Sequence, residues 1–156
     1  MKTRMRTLAH SGDRAALLHR LQTIQPDSVR RWGRMSAHEM VCHLSDGFRM
    51  ATGGKAVSDA TSSFHRTVVK WIALYAPVPW PSGIMTRPEI EQGVGGTCPG
   101  DFAADVEDLA RLIDTFARDA LEASCPPHPI FGPLSERAWL RWGYLHVDHH
   151  LRQFGA

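Results

Sequence analysis

Three of the chain's nine histidines, His146, His149 and His150, lie within five positions of the C-terminal segment YLHVDHHLRQFG. On a helix, side chains four residues apart lie on one face about one turn from each other, so the rings of His146 and His150 can face the same point. Imidazole nitrogens at this spacing suit two ligands of one metal ion. At least one further ligand must then come from another part of the chain.

His43 is the natural third ligand, because metal sites in helical bundles are made from side chains of facing helices. A helix is predicted to begin at Ser36, which forms a capping-box pattern with Glu39. His43 lies at the edge of the apolar stripe of that helix, beside Gly47. The alternative is that the three histidines are buried polar groups that hydrogen-bond within the core. Both interpretations remain open on spacing alone.

The face of the last helix that carries the histidine pair also carries Trp139, Trp142 and Gly143, and we expect Gly143 to leave room beside the rings. His149 points about 100° away from His150 and lies next to Trp142. We therefore place His149 and Trp142 in the wall of a pocket and leave both out of the ligand set.

Carboxylates flank the row of His43 on its helix. Asp46 or Glu39 is expected to accept the second N–H of the imidazole and fix its tautomer, although capping is the stronger interpretation for Glu39. His128, in a turn between prolines, is a reserve ligand. Cys42 does not form a thiolate and base pair with His43, since adjacent helical residues point about 100° apart, and it is interpreted as a core residue.

Helical periodicity accounts for most of the chain. Four long helices are predicted over residues 11–24, from 36 to a stop at 52–54, over 101–121 and over 135–154, with Ser11 and Ser135 as N-caps. Residues 64–76 indicate a shorter helix, although β-branched residues leave a strand open. The segment 77–100 is rich in proline and glycine, and it is interpreted either as a lid or binding loop or as a packed crossover.

The second helix sets the predicted orientation of its neighbours. Its apolar stripe contains Met40, Val41, Leu44, Phe48 and Ala51, whereas Ser45 and Arg49 fall on the far side. Together the elements predict an all-α fold, an antiparallel four-helix bundle with a short extra helix and a long crossover, in a single domain over residues 1–156.

Composition excludes several functional classes. The 43% hydrophobic and 22% charged fractions are typical of a soluble globular protein, and a net charge of +2 is too small to indicate nucleic acid as the partner. The N-terminus lacks the apolar region of a secretory signal, and the most apolar run, residues 68–80, is too short to span a bilayer. Three widely spaced cysteines form neither a disulfide framework nor a CxxC zinc site, which favours a reducing cytoplasm.

The chain resembles the DinB/YfiT-like superfamily over nearly its whole length. The resemblance is carried by residues 32–40 (WGRMSAHEM) with His43 and Leu44, by the Trp80–Glu89 segment, by Gly96 and Thr97, by residues 128–132 (HPIFG), and above all by residues 146–155 (HVDHHLRQFG). More narrowly, the sequence resembles an uncharacterised bacterial branch of that superfamily that ends in HHLxQFG.

The resemblance implies a DinB-type four-helix bundle and a divalent metal, usually zinc or nickel, held by one histidine of the second helix and an HxxxH pair of the last. Those roles fall on His43, His146 and His150. Characterised members of the superfamily resemble metal-dependent transferases and isomerases that use a low-molecular-weight thiol, namely bacillithiol, mycothiol or glutathione. This chain has two adjacent histidines, His149 and His150, where the family pattern has one. The resemblance therefore leaves open which of the two is the ligand.

Two functions follow as hypotheses. In the first, three neutral imidazoles leave coordination positions for water or a thiol, and the protein is a metal-dependent transferase or hydrolase that acts on a small electrophilic substrate. In the second, the protein is a non-catalytic helical module with a structural metal or none, and an exposed apolar face makes a homodimer.

Overall fold

The computed structural model describes residues 4–84, 86–120 and 124–156, and these residues contain five α-helices and no β-strand. The predicted all-α class is therefore confirmed for the described residues, none of whose helices is long and apolar enough to cross a membrane. The helices are α1 (Ser11–Gln22), α2 (Ala37–Ala51), α3 (Lys70–Tyr75), α4 (Phe102–Asp119) and α5 (Glu136–Gln153). The predicted end of the fourth helix at Leu121 lies outside the described residues.

Side-chain caps fix the starts of three helices. At α2 the Ser36 hydroxyl accepts from the Glu39 amide at 3.2 Å, and the Glu39 carboxylate accepts from the Ser36 amide at 2.7 Å, which confirms the capping box. Ser135 caps α5 as predicted, and Asp101 caps α4. The prediction that Ser11 caps α1 is wrong, because the cap residue is His10, whose side chain makes no capping hydrogen bond.

The second helix is enclosed on nearly every side. It contacts α4, α5 and a 3-10 turn at Pro88–Ile90, and twelve of its fifteen residues are buried. Ser45, predicted to face away from the core, is buried as well. The sequence predicted one apolar stripe on α2, because helical periodicity identifies the face that packs against a single neighbour. In the structure α2 packs against three elements.

Close approach of α5 to its neighbours depends on Gly143. A Cβ atom there would lie 2.7 Å from Leu8 Cδ1 and 3.3 Å from Phe48 Cε1. The predicted space beside the histidine rings is therefore filled by the N-terminal segment and by α2. The glycine that borders the rings is Gly47 on α2, where a Cβ atom would lie 3.0 Å from His146 Cε1.

The segment between α2 and α4 is helical only in part. Residues 65–69 form a π-helical turn that continues into α3, so the helical interpretation of residues 64–76 is confirmed and the strand is not observed. The proline- and glycine-rich segment then packs back on the helices. The indole of Trp80 donates to the Ala73 carbonyl at 2.7 Å, Ile90 is buried, and Thr97 hydrogen-bonds to Asp46 of α2.

Candidate metal centre

Three histidines from two helices meet in the core. Nε2 of His43 on α2 lies 3.3 Å from Nε2 of His146 on α5, and the ring centroids of His43 and His150 are 4.9 Å apart. Each ring offers a nitrogen within 4.8 Å of the other two. His146 and His150 share a face of α5, as their spacing of four residues predicts.

The outer nitrogens of two rings are fixed by hydrogen bonds to carbonyl oxygens. Nδ1 of His43 lies 2.9 Å from the Ile90 carbonyl, and Nδ1 of His150 lies 2.9 Å from Oε1 of Gln153. The Gln153 amide donates to the Trp32 carbonyl at 2.8 Å, which orients Oε1 toward the histidine. Because a carbonyl only accepts, both Nδ1 atoms carry the proton and both Nε2 atoms carry a lone pair, and that of His43 lies within hydrogen-bond distance of Nε2 of His146.

The third ring is held by packing. Among the described residues, Nδ1 of His146 has no hydrogen-bond partner. The ring lies over Gly47 on one side, and its centroid is 4.9 Å from the ring of Trp142. Trp142 was predicted to line this pocket, and it does contact the histidine.

Burial keeps the trio neutral. The exposed fractions of His43, His146 and His150 are only 4%, 7% and 8%. Removal from water lowers the pKa of His43 below 6.5, and burial together with repulsion from the neighbouring imidazoles lowers the pKa of His146 and of His150 well below that value. Neutral rings are the form that binds metal ions.

The spacing of the rings fits a metal ion. Two ligand nitrogens each about 2.0–2.1 Å from zinc in a tetrahedral site are about 3.4 Å apart, close to the 3.3 Å between His43 and His146. With all three rings neutral and two lone pairs aimed inward, the trio could hold a metal ion and leave a coordination position open.

The histidine doublet is divided between two environments. His150 belongs to the trio, whereas His149 points toward indole rings, with centroids 5.9 Å from Trp32 and 6.0 Å from Trp80. Trp80 also lies 6.2 Å from His146, so it covers the trio from the side of the 77–100 segment. The histidine of the doublet that lies beside His146 and His43 is therefore His150, and His149 lies among the aromatic side chains around the trio.

The predicted carboxylate partners of His43 make other contacts. Glu39 is engaged in the capping box, and both oxygens of Asp46 accept from Thr97, at 2.7 and 2.6 Å, while Lys55 donates to one of them at 2.9 Å. The Ile90 carbonyl takes the place expected for a carboxylate. No sequence signal indicated it, because Ile90 lies in a segment without periodicity. Gln153 was overlooked, although its spacing of three from His150 places both on one helix face.

His128, the reserve ligand, lies outside the trio. Its Nδ1 accepts from the backbone amides of Ile130 and Phe131 at 3.1 and 3.2 Å, and its ring stacks on Phe131 with centroids 4.6 Å apart. Burial lowers the pKa of His128 to about 3. The ring therefore stabilises the turn before α5 as a neutral acceptor.

A second group of ligand side chains was not anticipated. His38, Cys42 and Asp105 lie where α2 packs against α4, and each offers one ligand atom within 4.8 Å of the other two. Burial and the nearby Asp105 carboxylate raise the pKa of the Cys42 thiol to about 12, so it is no free nucleophile. The spacing of four between His38 and Cys42 was the available signal.

Comparison with known proteins places the chain in one family. Neither the curated proteins nor the solved structures contain a match. One family does match, over residues 2–156, and its description is a protein of unknown function, DUF1569. The chain belongs to the DUF1569 family.

Proposed function

We propose that His43, His146 and His150 bind one divalent metal ion, zinc or nickel, and that the protein is a metal-dependent enzyme of the DinB/YfiT-like type. The observation that carries this proposal is the 3.3 Å separation between Nε2 of His43 and Nε2 of His146, together with the hydrogen bond from Nδ1 of His43 to the Ile90 carbonyl, which leaves a lone pair on its Nε2. Hydrogen bonds that fix the tautomer of a ligand histidine are a general feature of protein metal sites.

The proposal includes the DinB-type arrangement of helices. The long helices α1, α2, α4 and α5 would form the four-helix bundle, with α3 as the extra helix. Contacts of α2 with α4 and α5, and of α1 with α4 and α5, support this assignment. The metal site would lie between the second and the last long helix, as in the superfamily that the sequence resembles.

The reaction proposed is transfer of a thiol, such as bacillithiol, mycothiol or glutathione, to a small electrophilic substrate, or hydrolysis of that substrate. A bound divalent metal supplies a Lewis acid that lowers the pKa of a thiol or of water. The chain contributes three neutral imidazoles, the hydrogen bonds that orient them, and a wall of indole rings from Trp32, Trp80 and Trp142 that keeps bulk water away.

The test is turnover by protein purified without a histidine tag. We expect at least about one equivalent of metal. We also expect a thiol to be consumed in the presence of an electrophile, and this reaction to stop when the metal is chelated. Cys98→Ser, at an exposed cysteine outside the trio, is the matched control and is expected to retain activity. The proposed enzymatic function would be excluded if the protein binds metal but neither consumes any of the three thiols nor hydrolyses any electrophile.

The second candidate, a non-catalytic module that forms a homodimer, is supported by a separate observation. Five large apolar side chains at helical spacing are exposed on and before α3. They are Phe64, Val68, Trp71, Ile72 and Tyr75. On this alternative, sedimentation detects a dimer that Trp71→Glu dissociates, whereas Val29→Glu, at an exposed apolar residue elsewhere, has no effect.

A further inference from the structure

The side chains of His38, Cys42 and Asp105 share a single hydrogen-bond acceptor. Oδ2 of Asp105 lies 2.7 Å from Nε2 of His38 and 3.7 Å from Sγ of Cys42, and it also accepts from the Gly100 amide at 3.0 Å. A carboxylate oxygen has two lone pairs, so three donors cannot all bond well to it. The Cys42 thiol is buried and makes the longest of the three contacts, so its hydrogen bond is the weakest.

A cation would remove this competition. Placed among the three side chains, it would accept a lone pair from the imidazole, the thiolate and the carboxylate, and the Gly100 amide could keep its bond to Asp105. Two geometric features already favour this arrangement. His38 and Cys42 lie on one face of α2, and the imidazole of His38 packs nearly perpendicular to the Phe102 ring, with centroids 5.2 Å apart.

We propose that His38, Cys42 and Asp105 form a second metal site, which binds a zinc-like divalent cation through one nitrogen, one sulfur and one oxygen. A mixed set of imidazole, thiolate and carboxylate suits zinc, whereas calcium and magnesium prefer oxygen ligands alone. The site is separate from the proposed function, since it shares no ligand with the histidine trio.

The binding step is balanced by one proton. The Cys42 S–H bond breaks, its electron pair becomes the ligand of the cation, and the proton leaves to solvent. The Nε2–H bond of His38 also breaks, and Nδ1 takes up a proton from solvent in exchange, so the ring stays neutral and its Nε2 lone pair binds the cation. Oxidation states do not change. The side chains of His38 and Asp105 are 19% and 31% exposed, so a fourth position is open to water and the cation can enter and leave without unfolding.

The experiment is a titration of reduced, untagged protein with cobalt(II), a spectroscopic substitute for zinc. Thiolate bound to cobalt gives a charge-transfer band in the near ultraviolet, which imidazole ligands do not give. We expect this band to develop with the second equivalent of cobalt. Cys42→Ser removes the band, and Asp105→Asn weakens binding of the second equivalent by more than about 10-fold.

Cys98→Ser is the matched control, and we expect it to keep the band because Cys98 is exposed and outside the cluster. Absence of the band in the wild-type protein, or its persistence in Cys42→Ser, would overturn the second site. If the histidine trio does not bind metal, the visible bands of a cobalt site without sulfur are absent, whereas the thiolate charge-transfer band is still seen. Failure of the histidine site and failure of the second site therefore give different spectra.

Discussion

The two groups of ligand side chains on α2 differ in where their protons lie. In the trio of His43, His146 and His150, hydrogen bonds to Ile90 and Gln153 hold protons on the outer edges of two rings, and the lone pairs face inward. In the group of His38, Cys42 and Asp105, the protons of the imidazole and the thiol lie inside the group and point at one carboxylate oxygen.

The distances between potential ligand atoms therefore do not decide which of the two sites binds a metal ion more tightly. Two rings of the trio, His43 and His150, already have an unprotonated Nε2, because the acceptors of their Nδ1 protons lie outside the group. The mixed group must first break hydrogen bonds and lose a proton. We expect the trio to fill first and to bind more tightly, and the mixed group to fill second.

The largest expected effect comes from removal of a ring of the trio. His146→Ala leaves two ligands on two helices, and we expect affinity for the first equivalent of zinc to fall more than about 100-fold, beyond the range for partners that only orient a ligand. Competition with a chelating dye measures this change. His19→Ala, on the exposed side of α1, is the control and retains wild-type affinity.

The partner of His150 is expected to matter next. Gln153→Leu removes the acceptor of the Nδ1 proton, and we expect about 10–100-fold weaker zinc binding. Gln153→Glu retains an acceptor at the same place and is expected to bind zinc at least as well as Gln153→Leu. Equal affinity of the Leu variant and the wild type would show that the outer hydrogen bond contributes nothing to the site.

Lower pH is expected to destabilise the metal-free protein. Since burial holds the pKa of His43, His146 and His150 below the ordinary 6.5, the unfolded chain binds more protons than the folded chain as the pH falls below that value. The stabilisation is complete above about pH 6.5 and is lost on acidification, by about 1.4 kcal/mol per pH unit for each ring.

Urea unfolding between pH 7.5 and 5 in the presence of a chelator, about one unit above and one and a half below the ordinary histidine pKa, measures this loss. His150→Gln is expected to reduce the slope of the unfolding free energy with pH. A midpoint that is constant over this range would contradict the burial of neutral rings.

The smallest effect is expected at Gly47. A Cβ atom there would lie 3.0 Å from Cε1 and 3.3 Å from Nδ1 of His146, so Gly47→Ala must turn the ring by a small angle. We expect zinc affinity to fall about 5-fold, the equivalent of about 1 kcal/mol of rotamer strain. Gly12→Ala, where a Cβ atom meets only the exposed side chain of His10, is the control and leaves zinc affinity unchanged.

Sequence patterns predicted the elements that carry the site better than the contacts that complete it. The spacing of His146 and His150 and the capping box at Ser36 are local features, and both were read directly from the chain. The meeting of His43 with that pair was a hypothesis about facing helices, and the structure brings the three rings together.

The contacts that were missed are those between distant segments. The Ile90 carbonyl lies 47 residues from His43 in a segment without periodicity, so no pattern could indicate it. The mixed group combines a pair on α2 with Asp105 on α4, and its pairing depends on how the two helices pack. Local spacing alone does not specify that packing.

The function proposed for this protein rests on one divalent ion held by three imidazoles from α2 and α5. X-ray absorption at the zinc edge, on untagged protein loaded with a single equivalent, tests it most directly. We expect nitrogen ligands at about 2.0–2.1 Å with the signature of imidazole rings and no sulfur. A sulfur ligand at about 2.3 Å would show that the mixed group fills first, and a failure to retain zinc would contradict the site altogether.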